Sequence, residues 1–134
     1  MKTPVWVLHE TVLTLHEQSL AEFGGSAGIR DEGLLDSALH KPEQLFAYAK
    51  PAIFDLAASY GFGLVKNHPF IDGNERVGFV VAVVFLELNG YRFQSTEAEA
   101  AVQTLALAAG ELSEAGFAAW LKANARKIGK QGKP

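Results

Sequence analysis

Between His68 and Arg76 the chain sets an imidazole, a carboxylate at Asp72, a Gly73-Asn74 pair and a guanidinium, in the stretch NHPFIDGNERVGF over residues 67–79. An apolar run follows at once, so this loop leads into a buried helix. A helix start presents backbone N–H groups without partners and the positive end of the helix dipole, and both attract an anion. Gly73 and Asn74 supply the backbone of such a cradle, and Arg76, one turn in, adds a fork of donors matched to phosphate oxygens. Asp72 at the mouth is an oxygen ligand suited to magnesium, which enters such sites with the phosphates and keeps several waters. A nucleoside triphosphate satisfies all three. His68, four residues before Asp72, is placed to accept a proton from an incoming hydroxyl. The chemistry these parts suit is phosphoryl or nucleotidyl transfer, in which positioning and charge stabilisation do most of the work.

A plainer reading competes. Asp72-Gly73-Asn74-Glu75 also reads as an N-cap aspartate with a glutamate at the third helical position, a capping box that needs no ligand. It accounts for Asp72 and Glu75 but not for His68, Asn74 and Arg76 arriving together, so phosphate chemistry stands somewhat ahead. Pro69 and Phe70 are expected to form a rigid turn and an aromatic anchor for the loop.

The elements that must hold these residues are mostly helical. Residues 7–23 carry Leu8, Val12, Leu15, Leu20 and Phe23 near helical spacing, and Gly24-Gly25 stops that helix. A loop GGSAGIRDEG follows, then a short amphipathic helix GLLDSALHK that Pro42 is expected to close, then QLFAYAK as a short helix or an extended edge. Pro51 suits a helix start, and an apolar stripe from Ile53 to Val65 runs to the His68 loop. Gly73 to Leu88 is apolar nearly all round and predicts a central buried helix, ended by Asn89-Gly90. Thr96 with Glu99 opens a helix over about 97–108, and Ser113 precedes a last one, FAAWLKANARKI. Only Tyr91–Gln94 and Val5–Val7 look strand-like. The class is all-α, packed around the 74–88 segment.

Composition bounds the rest. A chain of 134 residues with 49% hydrophobic content suits one compact domain. A net charge of -3 offers no basic field for nucleic acid or an anionic membrane. Lys122, Arg126, Lys127, Lys130 and Lys133 read as a helix end and a solvated tail. Without cysteine there is no disulfide, thiolate zinc site or cysteine nucleophile. Pro4, His9 and Glu10 interrupt any signal-like run, and Val77 to Leu86 is too short to span a bilayer, so a soluble cytoplasmic protein is the simplest expectation. Three lesser features carry no chemistry in this reading. Gly24 to Gly28 matches G-x-S-x-G but follows a helix where a nucleophile elbow needs a strand. His9 and His16 are seven apart, against a shared zinc, and His40 is read as a helix-end imidazole.

The residues His68, Phe70, Asp72, Gly73, Asn74 and Arg76 resemble the Fic/Doc family motif H-x-F-x-[DE]-[GA]-N-x-R. GIRDEGLLDSAL, AASYGFGLVKNHPF and FLELNGY extend the likeness to its death-on-curing branch. The resemblance implies a Fic-type helical bundle over residues 1–128 with a tail at 129–134. It also implies a type II toxin–antitoxin module in which ATP and Mg2+ modify a hydroxyl of a target protein. His68 would be the general base, Asp72 the magnesium ligand, and Gly73, Asn74 and Arg76 the phosphate cradle. Phe79 stands where the AMP-transferring members carry a second arginine, which leans towards a kinase acting on a target such as the translation factor EF-Tu, with AMP transfer as the alternative. Glu75 stands where those members have glycine and death-on-curing proteins lysine, so it either caps the helix or silences the site. The family's self-inhibitory [ST]-x-x-x-E-[GN] pattern is absent, which points to a separate antitoxin as the inhibiting partner. Its target-docking flap would fall at Gln44–Phe54, with edge-strand pairing, and its antitoxin tail would cover the active-site groove.

Overall fold

The computed structural model describes residues 2–129; most of the expected tail, with Lys130 and Lys133, lies outside the described residues. Six helices run in chain order, α1 (His9–Phe23), α2 (Glu32–Tyr48), α3 (Ile53–Asn67), α4 (Asn74–Leu88), α5 (Glu97–Ala109) and α6 (Glu114–Ala123). Strand β1 (Tyr91–Phe93) pairs antiparallel with β2 (Ala125–Lys127), Tyr91 opposite Lys127 and Phe93 opposite Ala125. The all-α class holds.

Helix α4 is the spine because its apolar residues go nearly all round. Val77, Gly78, Val81, Ala82, Phe85 and Leu86 are buried, and α3 packs along it with Leu56, Tyr60 and Leu64 fully buried. The two helices approach backbone to backbone where glycines meet. A Cβ at Gly78 would stand 3.1 Å from the Gly61 carbonyl oxygen, and one at Gly61 would stand 3.3 Å from that of Gly78. Either substitution forces the helices apart. Removing Phe85, which packs on Trp6 and Tyr60, would cost about 3–5 kcal/mol as a cavity.

Local signals give most boundaries. The Asp31 carboxylate accepts from Leu34 N–H to start α2, Thr96 Oγ1 accepts from Glu99 N–H to start α5, and Ser113 Oγ accepts from Gly116 N–H to start α6. Several expectations change. Helix α2 does not stop at Pro42 but runs through it to Tyr48, with Pro42 buried. Proline lacks the N–H that would bond the Ala38 carbonyl. That turn packs against α3 at Gly63, where an added Cβ would lie 3.3 Å from Ala38, so tertiary contact carries the helix past it. Gln44 to Tyr48 is accordingly helical, and the Gln44–Phe54 segment has no strand for edge pairing. Pro51 precedes the cap of α3 rather than opening it, and His40 lies within α2, Nδ1 2.9 Å from the Asp36 carbonyl. Val5–Val7 forms no strand. The last helix ends at Ala123 because Asn124 turns its side chain back to the Trp120 carbonyl and the next residues pair with β1.

Candidate active site

The loop from His68 to Gly73 is held from three directions. Residues 24–31, the strap after α1, run beside it: Arg30 and Asp31 donate their N–H groups to the Pro69 carbonyl, and Ile71 N–H donates to the Gly28 carbonyl. The Arg30 guanidinium donates through Nε to the His68 carbonyl at 2.8 Å and through Nη2 to that of Asn67 at 3.0 Å, closing the end of α3. His68 itself caps α3 in the left-handed region at φ 52, ψ 53, a strained backbone for a residue with a Cβ. These bonds to its neighbours hold it there.

Asn74 is the joint beneath the loop. Fully buried, its Oδ1 accepts from Phe70 N–H at 2.9 Å, while Nδ2 donates to the Phe70 carbonyl at 3.0 Å and to His68 Nδ1 at 3.1 Å. The Phe70 backbone dictates which way the amide points. The cradle expected at Asn74 calls on its backbone N–H, and the side chain serves the loop instead, its polar atoms engaged inside the protein. With Nδ1 as acceptor, the neutral His68 ring carries its proton on Nε2. Accepting a proton from a hydroxyl at Nε2 takes the other tautomer and gives up the Asn74 contact.

Gly73, at φ 77, is the N-cap of α4. The first helical bond runs from Val77 N–H to the Gly73 carbonyl, so Asn74, Glu75 and Arg76 have N–H groups with no helical acceptor. The capping box is not formed. Asp72 lies one residue before the cap, its Oδ1 accepting from Gly73 N–H at 3.0 Å and Oδ2 from Ser26 N–H at 3.1 Å. Each carboxylate oxygen keeps a lone pair. An exposed carboxylate held by two N–H groups, beside free helix N–H groups, fits a magnesium ion that takes its other ligands from waters and phosphates.

Asp72, Gly73, Glu75 and Arg76 share one wall of a cavity of about 640 Å³ that extends between α4 and α5. Phe79, Val80, Val83 and Leu105 give it an apolar floor, and Glu22 and Glu97 add acid to its rim. His68 is not among the lining residues. The Arg76 guanidinium lies 3.4 Å over the Phe23 ring, and no carboxylate is within 4.0 Å of it among the described residues. Phe79 packs edge-on to Phe93 and against Trp120.

Sequence reasoning missed His16, Arg30 and Phe23 as parts of this site. The ring of His16 is buried, stacks on Phe70 with centroids 3.8 Å apart, and bonds through Nε2 to the Asp72 carbonyl at 2.8 Å. One signal was present: His16 lies on the buried stripe of α1 with Val12 and Ser19, where a polar residue needs a partner. The expected stripe through Leu8 and Phe23 leaves both exposed. His9 faces Glu32 and Asp36 at 4.0 and 3.9 Å, so the two histidines of α1 serve different neighbours.

A family model described as the Fic/DOC family matches residues 6–86. A curated relative, Toxin Doc of Mycolicibacterium smegmatis, is 42% identical over 71 residues, which cover 51% of this chain and 54% of that protein. The chain thus aligns with about half the length of this curated relative.

Proposed function

Since the chain belongs to the Fic/DOC family, we propose that it is the toxin of a type II toxin–antitoxin module. It transfers the terminal phosphoryl group of ATP to a hydroxyl of a target protein such as the translation factor EF-Tu. The observation that carries this reading is the start of α4. Three N–H groups that have no partner among the described residues, the Asp72 carboxylate and the Arg76 guanidinium meet there, with His68 joined to the same turn through Asn74.

Each residue then has a task. The N–H groups of Asn74, Glu75 and Arg76 bind phosphate oxygens, and the Arg76 side chain spans them with two donors. Asp72 holds magnesium, which when bound neutralises charge on the phosphates. His68, in the tautomer with Nε2 unprotonated, takes the proton of the acceptor hydroxyl as its oxygen bonds to phosphorus and the leaving oxygen keeps its electron pair. Kinase activity is favoured over AMP transfer because position 79 is an aromatic residue packed on Phe93 and Trp120, leaving no second guanidinium there. The partner is an antitoxin whose apolar segment with basic flanks suits the apolar, acid-rimmed cavity beside the phosphate site.

A second reading is favoured by Glu75. Its carboxylate lines the same wall as Arg76 and opposes phosphates by an amount that solvent screening reduces. In that reading the site binds nucleotide or antitoxin without turnover. The deciding experiment incubates purified protein with magnesium, a bacterial lysate and ATP labelled at the gamma or the alpha phosphate, with His68→Ala as control. Label from gamma alone means a kinase, and label from alpha means AMP transfer. If neither label appears, even with Glu75→Lys, the transferase reading is withdrawn.

A further inference from the structure

His16, Leu20 and Phe23 recur at i, i+4 and i+7 on one face of α1, and all three meet the start of α4. We infer that α1 is the positioning element of the anion cradle: His16 sets the peptide that leads into α4, and Phe23 sets the guanidinium of Arg76. The inference rests on reading that helix start as the ATP phosphate site.

His16 is 3% exposed, so its ring nitrogen must find a partner inside the protein. It finds the Asp72 carbonyl at 2.8 Å, while Phe70 covers the face of the ring. A trans peptide is planar, with C=O and N–H on opposite sides. Drawing the Asp72 oxygen towards α1 therefore aims the Gly73 N–H away from α1, and with it the Asp72 Oδ1 that this N–H holds at 3.0 Å. Leu20 packs beneath this peptide beside His16. Its Cδ2 would be 3.4 Å from a Cβ at Gly73 and 2.9 Å from one at Gly25. Phe23 then takes the flat face of the Arg76 guanidinium at 3.4 Å. Stacking uses that face and leaves the N–H edges free for oxygens in the guanidinium plane.

The test pairs ATP kinetics, read by gamma-label transfer, with amide hydrogen exchange of the nucleotide-free protein. His16→Phe keeps the stack on Phe70 but lacks the donor, and His16→Gln keeps a donor. For His16→Phe, KM for ATP should rise about tenfold, the worth of one buried hydrogen bond, with kcat little changed. The Phe70 and Ile71 amides should exchange faster while those of the α3 and α4 core do not. His16→Gln should recover both readouts. Phe23→Leu should raise KM in the same way, and Phe23→Tyr should restore it. Unchanged exchange and unchanged KM in His16→Phe, or a glutamine variant as impaired as the phenylalanine one, would overturn the inference. If the unsubstituted protein transfers no label, the transferase reading has failed, and the exchange rates alone then decide the role of His16.

Discussion

The two ends of α4 use the same device for opposite purposes. At the C-terminal end Asn89 brackets a peptide of the N-terminal segment, Oδ1 accepting from Val5 N–H at 2.7 Å and Nδ2 donating to the Val5 carbonyl at 2.9 Å. At the N-terminal end Asn74 brackets Phe70 in the same manner. They part at the third bond. Asn89 donates to the Phe85 carbonyl of its own helix at 2.8 Å and so seals that end, whereas Asn74 uses its one acceptor, Oδ1, on Phe70 N–H and its spare donor on His68, so the N–H groups of its own helix stay open. One amide is a seal and the other a mount. A fully engaged asparagine therefore does not by itself mark a site. What sets this end apart is the carboxylate, guanidinium and imidazole gathered beside N–H groups that every helix start leaves open.

Four experiments put that contrast at risk. The largest effect belongs to His68→Ala, which should lower transfer by about 10²–10⁴-fold, the usual worth of a proton-transfer group, while thermal melting falls only by the one hydrogen bond that the ring accepts from Asn74. Equal activity in the variant would remove His68 from the chemistry. Next come the two asparagines. Asn74→Ala strands the Phe70 N–H and carbonyl in a buried place and should cost about 2–3 kcal/mol in urea unfolding as well as activity. Asn89→Ala should cost about 1–2 kcal/mol, since its partner Val5 is exposed, and leave kcat alone. If both variants lose activity in proportion to stability, the ends of α4 do not differ in the way described.

The third experiment is alkaline titration at the sealed end. The Tyr60 hydroxyl accepts from Val7 N–H at 3.0 Å, and burial pushes its pKa from 10.0 up to about 12. Burial favours the neutral phenol. The stabilisation, about 2–3 kcal/mol for a proton held roughly a hundredfold more tightly in the folded state, is therefore fully present below pH 10 and lost as pH rises from 10 through 12. Tyr60→Phe should flatten that alkaline decline in a melting series, and a decline of equal steepness in both proteins would assign it elsewhere. The smallest effect is Glu75→Lys. It removes an acid favoured by the helix dipole, costing about 0.3–1 kcal/mol of stability, while ATP binding by calorimetry should tighten several-fold at low ionic strength and less at high. Weaker binding would show that Glu75 does not oppose the phosphates.

Much of this was legible in the residues alone, for local reasons. Thr96 with Glu99 and the apolar run ahead of Asn89 act within a few residues, so α5 and the spine α4 could be read from spacing. Pro42 and the 125–127 strand could not. A proline's local rule says stop, and only α3 packing at Gly63 carries α2 past it. A three-residue strand exists only because β1 lies beside it. In the site, residue types put forward His68, Asp72, Gly73, Asn74 and Arg76 as a group, and the family match over residues 6–86 includes that stretch.

The helical class, the buried spine and the set of chemically able residues were written in the chain, because periodicity and residue type are local properties. Where those residues sit and what they bond was decided by packing. It turned Asn74 inward, since the Phe70 peptide needed both a donor and an acceptor, and it brought His16, 56 positions away, to the Asp72 carbonyl. Hydrogen-bond satisfaction in a packed interior is a condition on neighbours in space, and it is met only once the helices have come together.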